Sequence, residues 1–150
     1  MEKAPSLSCR NAALGLLARR EHSTQELQRK LDARGYGNDE IETVLADLHR
    51  EHLLSDERFT EEYVRFRVNK GFGPVRLKQE LAERGISAAQ AAPYLEGYDW
   101  FDLAAEARVK RFGHLEPDDF KHRAKQMRFL QYRGFTAEQI RNVFKQNDWE

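Results

Sequence analysis

The chain has 150 residues, 33% charged and 40% hydrophobic, with 25 Lys and Arg balancing 25 Asp and Glu to a formal net charge of zero. That length holds one ordinary core or several small units side by side. A neutral total argues against a protein that coats nucleic acid over its whole surface, no apolar run is long enough to span a bilayer, and the single Cys9 excludes an internal disulfide or a multi-cysteine metal site.

The first residues, MEKAPSLSCRN, carry no apolar stretch of the secretory type, so a cytosolic protein is expected. Residues 1–9 read as a flexible start, with Cys9 in a frayed end. The segment NAALGLLARRE is amphipathic, with Leu14, Leu17 and Ala18 on one face. Leu27 and Leu31 then lead at a helical step to Arg34-Gly35, and Ile41, Val44 and Leu45 follow it. The pattern reads helix, glycine, helix.

The same phrase returns twice. Leu77 and Leu81 precede Arg84-Gly85, and Ala91, Tyr94 and Leu95 follow. Leu130 precedes Arg133-Gly134, and Ile140, Val143 and Phe144 follow, with Gln126 standing where the earlier copies have leucine. A glycine just past a helix accepts the left-handed conformation that closes the last turn, and an arginine there faces the negative end of the helix dipole. Ser87 and Thr136 are placed to cap the helix that follows, as Gly37 or Asn38 is in the first copy. The three Arg-Gly pairs therefore read as punctuation rather than as a ligand site.

Each helix pair has a third helix before it. In the second copy it runs from Asp56 to Lys70, capped by Ser55 and stopped by Gly71. In the third it is DWFDLAAEARVKRFG, capped by Asp99 and ended near Gly113. No alternating β-branched run occurs. The expected fold is all-α: three tandem three-helix repeats, helix-turn-helix-like, stacked into an elongated, curved body. The expected boundaries are 10–54, 55–98 and 99–150.

Several constellations have both a structural and a functional reading. KGFGPVRL, residues 70–77, could cradle a phosphate, but it lacks the P-loop pattern and follows no strand. Gly71 as a stop, Gly73 as an N-cap and Pro74 at the first helical position explain it, and Arg76 can pair with Glu80 one turn on. Phe59, Tyr63 and Phe66 share one face of their helix, with Lys70 below, and Val64 and Val68 lie nearly opposite. Burial between modules is the default for that face, and an exposed aromatic edge is the alternative. His49 and His52 read as surface or helix-end histidines rather than metal ligands, and no nucleophile–base set is suggested.

The strongest charge feature is FKHRAKQMRFLQYRGFTA, residues 120–137, which contains no acidic residue. A helical projection puts Phe120, Met127 and Leu130 on a core side and Lys121, Lys125, Arg128 and Tyr132 on the opposite side. Such a stripe is either a solvated face or a binding face. The candidate contact residues are these four together with Tyr63, Phe66, Arg67, Lys70 and Arg76.

The stretch LLSDERFTEEYVRFRVNKGFGPVRLKQELAERGI resembles the signature of the RecX family of RecA regulators. The matching residues are Arg58-Phe59, Tyr63, Lys70-Gly71-Phe72-Gly73-Pro74, Arg76-Leu77, Glu80-Leu81 and Arg84-Gly85-Ile86. The flanking ARREHSTQELQRKL and RFLQYRGFTAEQI are similar to family segments as well, so the resemblance spans roughly residues 10–147. It implies a regulator, without catalysis or cofactor, that docks along RecA filaments on single-stranded DNA. It further implies that the chain limits strand exchange, ATP hydrolysis and the co-protease role in DNA repair and the SOS response. A monomer is expected. The alternative is a helical DNA-binding protein that acts directly on nucleic acid through the basic stripe.

Overall fold

The structure is a computed structural model that describes residues 7–145. Among these residues there are nine α-helices and no strand. The first unit comprises α1 (Cys9–Arg19), α2 (Thr24–Ala33) and α3 (Asn38–Arg50). The second comprises α4 (Asp56–Asn69), α5 (Pro74–Glu83) and α6 (Ala88–Leu95), and the third α7 (Trp100–Phe112), α8 (Phe120–Arg133) and α9 (Ala137–Lys145).

Local chemistry sets the helix starts. Ser8, Ser23, Ser55, Ser87, Asp99 and Asp119 each accept a backbone N–H of the first turn through their side chain. Ser23–Glu26 and Ser87–Gln90 close full capping boxes, and Thr136 with Gln139 makes the same reciprocal pair before α9. Gly35, Gly85 and Gly134 all have positive φ, as the repeated phrase requires.

Three apolar clusters succeed one another along the chain, one per unit, and Trp100 and Leu103 pack against both the second and the third. Leu27, Leu31, Leu77, Leu81 and Leu130 are fully buried at the repeated positions. The one substitution in that series, Gln126, is buried too, and its Oε1 accepts a 2.8 Å bond from Nε of the buried Arg108. Arg108 also donates to the Leu115 carbonyl oxygen at 3.0 Å. The polar side chain in the third copy exists because an arginine crosses that core.

Four expectations change. Cys9 is not frayed but is the fully buried first residue of α1. Ser8 caps that helix, and the Tyr36 hydroxyl donates to the Leu7 carbonyl oxygen at 2.6 Å, tying the segment to its own unit. The buried face of α1 is Cys9, Ala12, Ala13 and Leu16, while Leu14 and Leu17 are half-buried and Ala18 is exposed. Small residues let α1 approach its neighbours closely, so its core face is the less hydrophobic one by composition. The other two changes concern Phe66, which is 58% exposed, and Phe120, which is 85% exposed. Phe59, Val64 and Val68 fill the core around α4 without Phe66, and Phe120 stands at the first turn of α8, clear of the third core.

The two joints between units are built differently. Between the first and second, Asp56 Oδ1 accepts from the Thr24 backbone N–H at 2.7 Å and from its hydroxyl at 3.1 Å. Arg58 pairs with Glu21 at 2.9 Å and Arg84 with Glu26 at 3.6 Å. Between the second and third, the chain segments meet directly. The Gly73 N–H donates to the Arg133 carbonyl oxygen at 2.7 Å, and the Val75 N–H to that of Gly134 at 2.8 Å. Of the amides that the phosphate-cradle reading would need, those of Gly73 and Val75 are thus occupied by protein backbone, and Pro74 has none. Among the described residues no helix is long and apolar enough to cross a membrane.

Candidate binding surface on the second and third units

The surface is organised around Phe72, the residue between the two glycines that stop α4 and start α5. Three guanidinium groups lie over or beside its ring: Arg67 of α4 at 3.8 Å from the centroid, Arg76 of α5 at 4.5 Å and Arg133 of α8 at 4.8 Å. The ring's negative face offsets part of their mutual repulsion. Glu80 pairs with two of the three. It accepts from Arg67 Nε at 2.9 Å and Nη2 at 2.7 Å, from Arg76 Nε at 3.2 Å and from the Tyr63 hydroxyl at 2.8 Å.

These contacts explain two titrations. Burial alone would push the Glu80 carboxyl up, but its bonds from Arg67, Tyr63 and Arg76 hold it below the ordinary value. Burial, and then the bond to the Glu80 carboxylate, pushes the Tyr63 hydroxyl up to about 12, so Tyr63 is a neutral donor at all physiological pH. Arg84 lies over the Tyr63 ring at 4.9 Å and donates to the Glu80 carbonyl oxygen at 2.9 Å.

The Arg-Gly turns do more than end helices. Arg84 reaches Glu26 of the first unit, and Arg133 donates to the Lys70 carbonyl oxygen at 2.8 Å in the second. Arg133 also stacks on Phe129 at 5.0 Å, and Phe129 meets Phe112 edge-on at 5.3 Å. Punctuation and inter-unit contact are combined in one residue pair.

The nine expected contact residues divide into two groups. Tyr63 and Arg67 are half-buried parts of the Glu80 network, and Arg76 links that network to α8. Arg76 Nη1 donates to the Tyr132 carbonyl oxygen at 3.2 Å, and its guanidinium lies 5.0 Å from the Tyr132 ring. The remaining six are exposed: Phe66, Lys70, Lys121, Lys125, Arg128 and Tyr132. Lys70 sits 5.2 Å from the Phe66 ring, so the aromatic edge of α4 is a capped, outward feature. Lys121, Lys125 and Arg128 form no ion pair among the described residues, and Tyr132, 71% exposed, continues their line to Arg76. The stripe on α8 and the network around Phe72 therefore meet at Tyr132.

Phe72, Arg133 and Val75 were not singled out by the sequence as contact residues. Phe72 was hidden inside a turn motif, and Arg133 inside the repeated phrase. His49 and His52 do not form a ligand pair: His49 Nε2 lies 2.9 Å from the Thr24 hydroxyl, while His52 sits past the end of α3 with a φ of 61°.

Three consecutive three-helix units joined end to end, with an open cationic face across the last two, define a helical-repeat protein. The family descriptions that match are the first, second and third three-helix domains of RecX, over residues 9–48, 55–94 and 98–144 respectively. The chain belongs to the RecX family of regulatory proteins. It is 46% identical over 140 residues to Regulatory protein RecX of Halorhodospira halophila, covering 92% of this chain and 87% of that one. The corresponding protein of Vibrio vulnificus is 40% identical over 139 residues, with 91% of each chain covered. The crystal structure of RecX from Lactobacillus salivarius superposes with a TM-score of 0.77 at 25% identity, over 95% of this chain and 96% of that one. A second crystal structure, of regulatory protein RecX, gives 0.78 at 21% identity over 95% and 72%, which speaks for the fold alone.

Proposed function

We propose that this protein regulates RecA by docking on its filaments on single-stranded DNA, and that it limits strand exchange, ATP hydrolysis and co-protease activity by occupancy rather than by chemistry. The reading brings the chain into DNA repair and the SOS response, in the cytoplasm, as a monomer without a cofactor. Family membership supports the regulatory role, and one observation supports the working surface. In a chain of zero net charge, α8 exposes Lys121, Lys125 and Arg128 along one face, and among the described residues no carboxylate pairs with them. A partner rich in phosphate or carboxylate is what such a face attracts.

The test is a titration of the purified chain into RecA–single-strand filaments, following binding, ATP hydrolysis and strand exchange. Changing Lys121, Lys125 and Arg128 together to Glu should weaken binding and inhibition while leaving melting within about ±0.5 kcal/mol of wild type per exposed site. Arg19, Arg34 and Arg50 changed to Glu serve as the charge control, since Arg50 pairs only with the exposed Asp47 of its own helix at 3.0 Å, whereas Arg20 and Arg29 are engaged with Glu26 and the Glu83 carbonyl oxygen. A triple variant that binds and inhibits as wild type does would reduce the stripe to a solvated face.

A second reading, direct action on nucleic acid, is favoured by one detail. Tyr132 is an exposed ring beside Arg76 and one helical turn from Arg128, an arrangement on which a base can stack. It predicts tight, salt-dependent binding to bare DNA, with about one unit of salt slope lost per phosphate contact removed.

A further inference from the structure

A groove runs along the seam between the second and third units, on the flank of α8 beside the cationic stripe. Its central part, about 590 Å³, is lined by Val75 of α5, Met127 and Gln131 of α8, Phe135, and Ile140 and Arg141 of α9. At Val75 and Gln131 it continues into a hollow of about 400 Å³ that reaches Arg76, Tyr132 and Glu83. Val75 is 50% exposed, an apolar side chain left uncovered at the second position of a helix. Its backbone is fixed by the bond to Gly134, so the groove is a feature of the joint itself and not of a loose side chain.

Helical geometry sets the groove against the stripe. Successive residues of an α-helix turn by roughly 100°. Met127 and Gln131 therefore lie on the flank next to Arg128, and one segment laid along α8 can touch both. The stripe selects for negative charge. The groove selects for something else: its middle is aliphatic, and the exposed Glu83 carboxylate stands at one end. Arg76 and Arg141 line the groove too, but a phosphate chain would meet the Glu83 carboxylate unfavourably and would find no partner along its aliphatic middle of Val75, Met127 and Ile140. An apolar side chain suffers neither conflict.

We propose that this groove takes one bulky apolar side chain of a protein segment whose neighbouring residues are acidic, the carboxylates lying on Lys121, Lys125 and Arg128. Under the function proposed above, on which this inference rests, the segment belongs to RecA within its filament. The groove is then the protein-specific half of the surface, and the stripe is the half that either a protein or a nucleic acid can use.

The test compares two ligands and two variants. Labelled wild type, Val75→Gln and Val75→Leu are titrated against RecA–single-strand filaments and against the same oligonucleotide bare. Val75 is half-exposed, so both variants should fold, and circular dichroism and melting check this. A neutral amide pressed into an apolar contact should weaken filament binding about tenfold, while Val75→Leu stays within about twofold and binding to bare oligonucleotide is unchanged. Wild-type filament affinity in Val75→Gln means the groove is empty in the complex and overturns the inference. An equal loss on bare oligonucleotide means the groove holds nucleic acid, and overturns it as well. A wild-type chain that ignores filaments refutes the functional reading itself, and the inference with it.

Discussion

Replacing Gly134 by Ala should separate the two roles that the Arg-Gly turns combine. Gly134 has a φ of +97°, and an added Cβ would lie 2.7 Å from the backbone nitrogen of Arg76, 3.0 Å from its Cα and closer still to its Cβ. Gly35 holds the same place in the first unit, with a φ of +94°, and an added Cβ there meets nothing within 4 Å. Gly35→Ala therefore carries only the cost of an L residue in the left-handed region, about 1–2 kcal/mol. Gly134→Ala carries that cost and also drives α5 away from the turn. The bonds from the Gly73 and Val75 amides to Arg133 and Gly134 are then lost, at about 0.5–1.5 kcal/mol each. The expected totals are about 2–5 kcal/mol for Gly134→Ala and about 1–2 kcal/mol for Gly35→Ala. Urea unfolding followed by circular dichroism measures both against wild type. Equal losses in the two variants would show that the joint does not depend on this close approach, and the account of the inter-unit contact would be wrong.

Two further predictions concern buried polar groups. Gln126→Leu restores the leucine of the other two units yet leaves the Arg108 Nε–H without its 2.8 Å partner, so it should destabilise by about 1–3 kcal/mol. Changing Arg108 to Leu as well should recover part of the loss in a double-mutant cycle, and a fully stable Gln126→Leu would contradict the pairing. His22 is buried between the Arg20 carbonyl oxygen at 3.0 Å and Lys30 Nζ at 2.9 Å, and burial, with the Arg20 and Lys30 charges, pushes its pKa below the ordinary 6.5. A lowered folded-state value means the stabilisation is complete above 6.5 and is lost as the pH falls from there through the folded value. Unfolding free energy should accordingly decline below pH 6.5, and His22→Gln should flatten that decline. An unchanged pH profile in that variant would locate the titration elsewhere.

The repeats were legible because a 3.6-residue period, a glycine and a capping residue are all written in adjacent letters. Leu31, Leu81 and Leu130 could be placed in the core from spacing alone, and they are fully buried. The outward direction of Lys121, Lys125 and Arg128 was legible for the same reason. Phe66 and Phe120 were misplaced because hydrophobicity says that a residue can be buried, not that a neighbour exists to cover it. Cys9 and Ala13 show the converse: two small residues are buried at 0% exposure because helices pack closely over them. The cluster of Arg67, Arg76 and Arg133 on Phe72 brings together residues far apart in the chain, and no local pattern announces such a meeting.

The contrast between the two joints bears on where recognition can be accurate. The first and second clusters share no apolar residue, and the contacts that bridge them are polar or charged: Thr24–Asp56, Glu21–Arg58, Glu26–Arg84 and Arg29 to the Glu83 carbonyl oxygen, with Gln25 packed against Gly85. Half-exposed ion pairs of this kind contribute at most about 1 kcal/mol each and weaken with salt. The second joint adds Trp100 and Leu103, two backbone bonds and the arginines around Phe72. Apolar contact and backbone pairing are far less sensitive to ionic strength. The proposed docking surface, which needs Tyr132, Arg76 and Val75 in fixed register, would gain most from the joint with the larger apolar and backbone contact, because side chains already ordered lose less entropy when a partner docks. The first joint, in which charged and polar contacts predominate, should therefore loosen with salt before the second does, and the proposed contact face on α5 and α8 should keep its shape.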